Sequence, residues 1–387
     1  MARKSLYNGQ ENSICCNNTR EENSVKILLT AINAKYIHTC PAVYSLKACA
    51  DQRRIEGLTV EIAEYTINDR YQDVLADIMS RNADVIGFST YIWNVDRVRR
   101  LIRDIRRIRE EEVQIWAGGP EATYYPDMFL KEDGADLCML GEGEDVFSAL
   151  AAGLSDSWRN LPGLAWLEND TVVSTGLAAP VDLNRISFLY HDLSLFENRI
   201  LYYESSRGCP FSCAYCLSGR ERGIRYRNPE VVEEELQFFL DQRVRQVKFI
   251  DRTFNADPVF AMRVWRYISD HDNGITNFHF EIEADRLTEE ELELLVTLRS
   301  GMVQMEIGVQ SANPNTLRSV HRRPDLTRIR DAVARLVPAQ NINLHLDLIT
   351  GLPYEDMASF QHSFNEVYGM RPHHYYSYIA LLLSLEK

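Results

Sequence analysis

The sequence predicts an α/β protein: a doubly wound sheet domain followed by a partial (β/α) barrel. Two observations carry this. Buried-type strand patterns alternate with helical patterns twice over along the 387 residues, which favours parallel sheets. Glycines or polar side chains also cluster directly after strand after strand, where open α/β sheets and barrels hold their ligands.

The first alternating set begins with "VKILLTA" at 25–31, a fully buried type of strand. A helix is expected from about Pro41, a residue suited to a first helical turn, to Arg54. There follow "LTVEIAEYT", a helix around 70–81, "ADVIGFST", the helix "VDRVRRLIRDIRRIRE", "VQIWAGGP", "ADLCMLGEGE" and "DVFSALAAGL". Five strands with interposed helices make a Rossmann-like domain over 25–154, after a polar, aperiodic leader at 1–24 that reads as mobile. Residues 155–200 read as a connector in which "LAWLEND" and "TVVSTG" flank an Asn-Asp turn, a small hairpin. The second set, 201–387, runs through "RILYYESS", "RQVKFIDRTFN", "NFHFEIEAD", "GMVQMEIGVQS" and "INLHLDLITGLP", with helices between.

Composition narrows the function classes. Hydrophobic residues make up 45%, ample for real cores, and no apolar run approaches membrane-spanning length. With no secretory leader, the expected location is cytoplasmic. A net charge of −14 argues against a nucleic-acid partner, although Arg207, Arg220, Arg222, Arg225 and Arg227 form one local basic patch. The dinucleotide fingerprint Gly-x-Gly-x-x-Gly is missing after the first strand, which removes support for a nicotinamide cofactor.

The most specific signal is "ESSRGCPFSCAYCLSGR", in which three of the 8 cysteines, Cys209, Cys213 and Cys216, stand at spacings of four and three. An odd trio cannot pair internally as disulfides, and structural zinc usually takes four ligands. Cys15 and Cys16, adjacent to each other, suit no zinc knuckle. The third possibility is an iron–sulfur cluster with one iron left without a protein ligand, since such clusters otherwise take four thiolates.

The spacing Cys-x3-Cys-x2-Cys, with Tyr215 before the last cysteine, resembles the signature of the radical S-adenosylmethionine (SAM) enzymes. The resemblance implies a [4Fe-4S] cluster on Cys209, Cys213 and Cys216. Its open iron chelates SAM, Tyr215 lies against the adenine, and the barrel is a six-stranded (β/α)6 TIM-type one. "GFST", "GGPEAT" and "GEGE" ahead of the cysteines further resemble the cobalamin-dependent members of that family, over roughly residues 25–383. Cobalamin on the carboxyl face of the Rossmann-like sheet is then expected to contact Ser89, Thr90, Gly118, Gly119, Glu121, Gly141, Glu142 and Gly143, with Ala31, Asn33 and Tyr36 facing the corrin from the first loop. That loop, "NAKYIHTCP", lacks the Asp-x-His-x-x-Gly that puts histidine on cobalt elsewhere, and His38 is its one imidazole.

In the barrel, polar residues at strand ends are the SAM candidates: Asp251, Glu283, Gln310 and Asp347, beside Asn255. "DRTFN" stands where the family usually has a Gly-Gly-Glu-type segment, so Asp251 or backbone carbonyls are expected to hold the methionine amino group. Arg286 and Arg318 are further carboxylate-clamp candidates. The resemblance implies methylation of an unactivated carbon, or alternatively a radical rearrangement or cyclisation. It also implies a small-molecule or peptide substrate and an electron donor such as flavodoxin or ferredoxin. No second cysteine triad supports a methylthiolating tRNA enzyme. A substrate-capping region after the barrel is expected to be short or missing.

Overall fold

A computed structural model describes residues 24–153, 158–219 and 223–379. Cys15, Cys16, Arg220, Arg222 and the leader lie outside the described residues. The chain divides into two compact units, 1–199 and 200–387.

The first unit runs β1 (Val25–Asn33), α1 (Pro41–Gln52), β2 (Leu58–Thr66), α2 (Tyr71–Ser80), β3 (Val85–Ser89), α3 (Val95–Arg109), β4 (Gln114–Gly118), α4 (Pro120–Tyr124), β5 (Leu137–Met139), α5 (Glu144–Ala151), β6 (Leu164–Glu168) and β7 (Thr171–Ser174). Its sheet has the order β2-β1-β3-β4-β5-β6-β7, parallel through β5. Alternate residues of β1 feed opposite cores, as the two-residue period of a strand requires. Leu28 and Ile32 pack with Val74 and Ile78 of α2 and Leu101 and Ile105 of α3. Ile27, Leu29 and Ala31 pack with Val43 of α1 and Phe147 of α5. Helices thus cover both faces. The hairpin β6–β7 does more than connect: it turns at the positive-φ pair Asn169 and Asp170 and extends this sheet by two antiparallel strands. The arginines of α3 are spent on structure, Arg99 and Arg103 on buried Asp133 and Arg106 on Asp136.

The second unit runs β8 (Leu201–Tyr203), β9 (Ser206–Cys209), β10 (Gly223–Tyr226), α6 (Pro229–Asp241), β11 (Gln246–Phe249), α7 (Pro258–Asp270), β12 (Asn277–Ile282), α8 (Glu289–Leu295), β13 (Val303–Gln310), α9 (Pro314–Ser319), α10 (Leu326–Leu336), β14 (Ile342–Thr350), α11 (Met357–Gly369) and β15 (His374–Ile379). Six strands form one parallel sheet, β15-β14-β13-β12-β11-β8. The sixth, β15, is the last described strand and pairs with β14 at the sheet edge. The run "LYYESSRGC" is not one strand: Ser205 donates its N–H to the Asp251 carboxylate (3.0 Å), which breaks the ladder, and the chain leaves to pair β9 with β10. In β13 alternation is strict: Val303, Met305, Ile307 and Val309 are buried, while Gln304, Glu306, Gly308 and Gln310 occupy the other face. Among the described residues no helix is long and apolar enough to cross a membrane.

Candidate functional site

In the first unit the strand order reverses between β1 and β3, and open sheets bind ligands in the crevice beyond such a reversal. Both loops there are firmly held. The Glu64 carboxylate, on β2, accepts from Asn33 Nδ2 (2.9 Å), the Cys40 N–H (2.8 Å), the Tyr44 hydroxyl (2.8 Å) and Arg199 Nη1 (2.7 Å). Asn94 spans the reversal, its amide donating to the carbonyls of Ile32 (3.0 Å) and Ser89 (3.1 Å). Asn33 also donates to the His38 carbonyl (3.1 Å), and Ser89 Oγ lies 3.3 Å from the Cys40 thiol, whose pKa burial raises. Ala31 is buried inside β1. Four large apolar side chains stand exposed on these loops: Tyr36 (62%), Ile37 (44%), Ile92 (42%) and Trp93 (46%). Tyr91 and Trp93 stack with centroids 4.4 Å apart, and the Arg199 guanidinium lies over the Tyr36 ring.

Thr90 knits β3 to β4. Its hydroxyl donates to the Gly118 carbonyl (2.7 Å) and accepts the Ala122 N–H (3.1 Å). Gly119 stands at φ +101°, and a Cβ there would lie 2.6 Å from the Thr90 carbonyl oxygen, so only glycine fits. Gly119→Ala is expected to cost about 1–3 kcal/mol of stability, read by urea denaturation. Glu121 is buried, and burial raises its pKa. The next loop is fastened at its glycines: Gly141 donates to Thr123 Oγ1 (3.1 Å), Glu142 accepts from the Val181 N–H (2.8 Å), and Gly143 caps α5.

In the second unit β9 ends on Cys209, and the loop beyond is pinned by the Ala214 N–H to the Val320 carbonyl (3.0 Å). Cys209 and Cys213 are buried and Cys216 partly so. The three sulfurs lie within electrostatic reach of one another, and burial followed by the opposing Arg322 charge leaves the Cys213 thiol raised. Cys209 Sγ is 3.6 Å from Thr253 Oγ1. Among the described residues no three His, Cys, Asp or Glu side chains converge on a point that would grip one ion. Thiolates at the corners of a cluster stand wider apart than the ligands of a single metal.

Arg322 organises this region. Its Nη2 donates to both oxygens of Glu283 (2.8 and 3.1 Å) and to the Gly308 carbonyl (2.8 Å), while Nη1 is 3.9 Å from Cys213 Sγ. Its charge also acts on Tyr215, whose pKa burial raises. Asn255 clamps the Glu283 backbone through two 2.9 Å hydrogen bonds. Gln310 is held at φ +68° beside a bulge in β13, close enough to Gly308 that a side chain there would displace its amide. Tyr215 Oη, Gln310 Oε1 and Asp347 Oδ1 are all buried side-chain oxygens with no hydrogen-bond partner among the described residues. Arg318 is taken up by its own helix, bonding the Pro314 carbonyl and Asn315, and Arg286 lies over Phe211. Arg207 pairs with Glu204 and Arg227 with Glu235.

Asp251 is fully buried and already engaged, accepting the Ser205 N–H (3.0 Å) and the hydroxyls of Ser205 and Ser206 (2.6 Å each). Burial, against those bonds, pushes its carboxyl up to about 7. The folded chain therefore holds a proton that the unfolded chain releases near pH 4. This stabilising contribution is present at low pH and lost as pH rises through about 7. The stability advantage of the parent over Asp251→Asn is accordingly expected to shrink between about pH 5 and about pH 7.5, read by urea denaturation at both.

Two family models match the chain, the B12 binding domain over residues 29–151 and the radical SAM superfamily over 203–367. The chain belongs to the cobalamin-binding radical SAM enzymes. It is 25% identical over 319 residues to 2-(S-pantetheinyl)-carbapenam-3-carboxylate methyltransferase of Streptantibioticus cattleyicolor, covering 76% of this chain and 46% of that one. It is 24% identical over 355 residues to the anaerobic magnesium-protoporphyrin IX monomethyl ester cyclase of Cereibacter sphaeroides, covering 83% and 54%. The chain thus spans about half the length of these two relatives. Its fold is similar to that of the radical SAM methyltransferase TsrM from Kitasatospora setae, solved with cobalamin and a [4Fe-4S] cluster (TM-score 0.74, 16% identity, 92% of this chain and 72% of that one).

For a cobalamin-binding radical SAM enzyme, sequence reasoning passed over several residues at these sites. Glu64 lies on a strand whose alternation marks it only as polar, and Asn94 reads as an ordinary helix boundary. Arg322 and Arg323 are adjacent and indistinguishable in sequence, yet in the fold Arg323 is exposed and Arg322 turns inward. The run "TYIWN" was a usable signal, because an exposed tryptophan stacked on a partly buried tyrosine after a strand presents apolar surface.

Proposed function

We propose that this chain uses a [4Fe-4S] cluster, SAM and cobalamin to methylate an unactivated carbon of a small-molecule or peptide substrate, with electrons from a donor such as flavodoxin or ferredoxin. The observation that carries this is the union, in one chain, of a B12 binding domain and a radical SAM domain that holds the three clustered cysteines, Cys213 lying 3.9 Å from Arg322. When bound, these groups supply an electron for reductive SAM cleavage and a transferable methyl.

The residues fit such groups. Cys209, Cys213 and Cys216 would hold three irons, and burial around Cys209 and Cys213 shields the site from water. The Gln310 side-chain oxygen is an acceptor and the Tyr215 hydroxyl a donor and acceptor with no hydrogen-bond partner among the described residues, and the polar groups of SAM would suit both. Glu283 and Arg322 hold each other in place beside the cysteines, so Glu283 would orient the site rather than bind alone. Asp251, fully bonded, would support the cysteine strand from behind. In the first unit, Tyr36, Ile37, Ile92 and Trp93 offer an apolar surface to the corrin, with Asn33 and Ala31 as its scaffold. The turns Ser89–Thr90, Gly118–Glu121 and Gly141–Gly143 would present backbone to the nucleotide tail.

Anaerobic reconstitution with SAM and cobalamin, followed by mass spectrometry, tests the proposal. Methyl transfer predicts S-adenosylhomocysteine and 5′-deoxyadenosine in equal amounts per turnover. A second reading, radical cyclisation or rearrangement, draws on the similarity to the protoporphyrin cyclase and predicts deoxyadenosine without homocysteine product.

A further inference from the structure

The inner face of the barrel sheet carries more charge than the cofactor chemistry above uses. Counting from the amino ends of the strands, its first row is Lys248, His279, Gln304 and Asn343, neighbours across β11 to β14. The next row is Glu281, Glu306, His345 and His374, and above it Asp347 pairs in register with Gly308 and Tyr376. Lys248 Nζ lies between two carboxylates, 3.6 Å from Glu281 and 3.4 Å from Glu306. His279 Nε2 is 3.2 Å from Glu306. Asp347 is the third carboxyl of the group and is only 5% exposed, yet its Oδ1 has no hydrogen-bond partner among the described residues.

The positive side of this account is thin. Among the described residues Lys248 is the one ammonium in contact with the carboxyls. Arg252, exposed, acts on Glu281 only through space. Burial, then its neighbours His374 and His279, lowers His345 to about 4, so it is neutral at pH 7. The ring of His374 is 4.8 Å from that of His345, and Tyr376 and Tyr378 close the β15 side. Burial, then the Glu306 charge and the Glu306 side chain within hydrogen-bond reach, raises Asp347 to about 8, while the facing His279 imidazole helps hold Glu306 down at about 2. A raised Asp347 carboxyl beside two others favours either a proton or a cation at this point. Among the described residues three carboxyls thus share one ammonium, and a buried carboxyl with an oxygen lacking a hydrogen-bond partner beside them is an incomplete ion pair.

Resting on the reading of this unit as a SAM-cleaving barrel, we propose that its inner face binds a substrate bearing a cationic nitrogen, received by Asp347 and Glu306. Binding an ammonium ion lets Asp347 release its proton, so one positive charge replaces another and the row stays balanced. A neutral hydroxyl could bond the same oxygen but would displace no proton.

The test uses the reconstituted protein at constant ionic strength, titrated by calorimetry with n-butylammonium chloride or n-butanol in two buffers of different ionisation enthalpy. Butylammonium is expected to release close to one proton per chain at pH 7, and its apparent affinity to rise roughly tenfold per unit between pH 6 and 7, levelling above about 8. Butanol is expected to release none. Asp347→Asn, which keeps the shape of a protonated carboxyl, is expected to abolish the release, and Glu306→Gln is read in parallel should that variant fold poorly. Equal behaviour of amine and alcohol, or release undiminished in both variants, overturns the proposal. A separate arm titrates SAM, itself cationic: release with SAM but not with butylammonium would assign the cation to the cofactor and overturn the substrate assignment. SAM cleavage assayed on the same preparation reports independently on the reading of the barrel itself.

Discussion

Replacing Cys209, Cys213 or Cys216 by alanine is expected to abolish iron–sulfur absorbance after anaerobic reconstitution and to reduce SAM cleavage below detection. On the proposed function each thiolate would hold one iron of a three-thiolate site, and the described residues of the second unit include no other cysteine to replace it, Cys138 lying in the core of the first unit. Cys138→Ala is the matched control and is expected to keep the absorbance. A triple cysteine variant that still binds a full cluster would remove the basis of the proposed function.

Arg322→Ala is expected to destabilise the second unit by about 3–5 kcal/mol, because it strands the Glu283 carboxylate in a buried place without its partner. The two side chains retain only 11% and 14% of their exposure, so solvent can do little to compensate. Arg322→Lys keeps the charge but not the fork that reaches both Glu283 oxygens and the Gly308 carbonyl, and an intermediate loss is expected. Pairing Arg322→Met with Glu283→Gln removes both charges and is expected to recover most of the stability. Urea denaturation of the four proteins provides the comparison. If Arg322→Ala costs no more than an exposed ion pair, about 0–1 kcal/mol, the inward placement of this guanidinium is wrong.

Much of the fold was legible because its signals are local. A buried strand followed by an amphipathic helix leaves a pattern within a dozen residues, and the cysteine spacing is contained in eight. Strand order is not local: nothing in "VKILLTA" or "ADVIGFST" says that these two runs are neighbours, or that the sheet reverses there. The same holds for β15, a short polar-aromatic strand whose assignment rests on its pairing with β14. Among site residues, Gln310 was visible as a polar residue at a strand end, but its unpaired oxygen and left-handed backbone were not. Asp251 was visible for the same reason, but its hydrogen bonds from Ser205 and Ser206 were not.

The amino-acid sequence by itself determined the two alternating α/β halves, the three-thiolate motif and the glycine turns after the strands, since each depends on residues close together in the chain. Only the tertiary structure decided which polar groups are partnered. Glu64 gathers donors from residues 33, 40, 44 and 199, and Arg322 joins Glu283, Gly308 and Cys213. Asp347 is left with an oxygen that has no hydrogen-bond partner among the described residues. Whether a buried charge is satisfied depends on what the fold brings within about 3 Å of it, and that distance is set by packing rather than by separation along the chain.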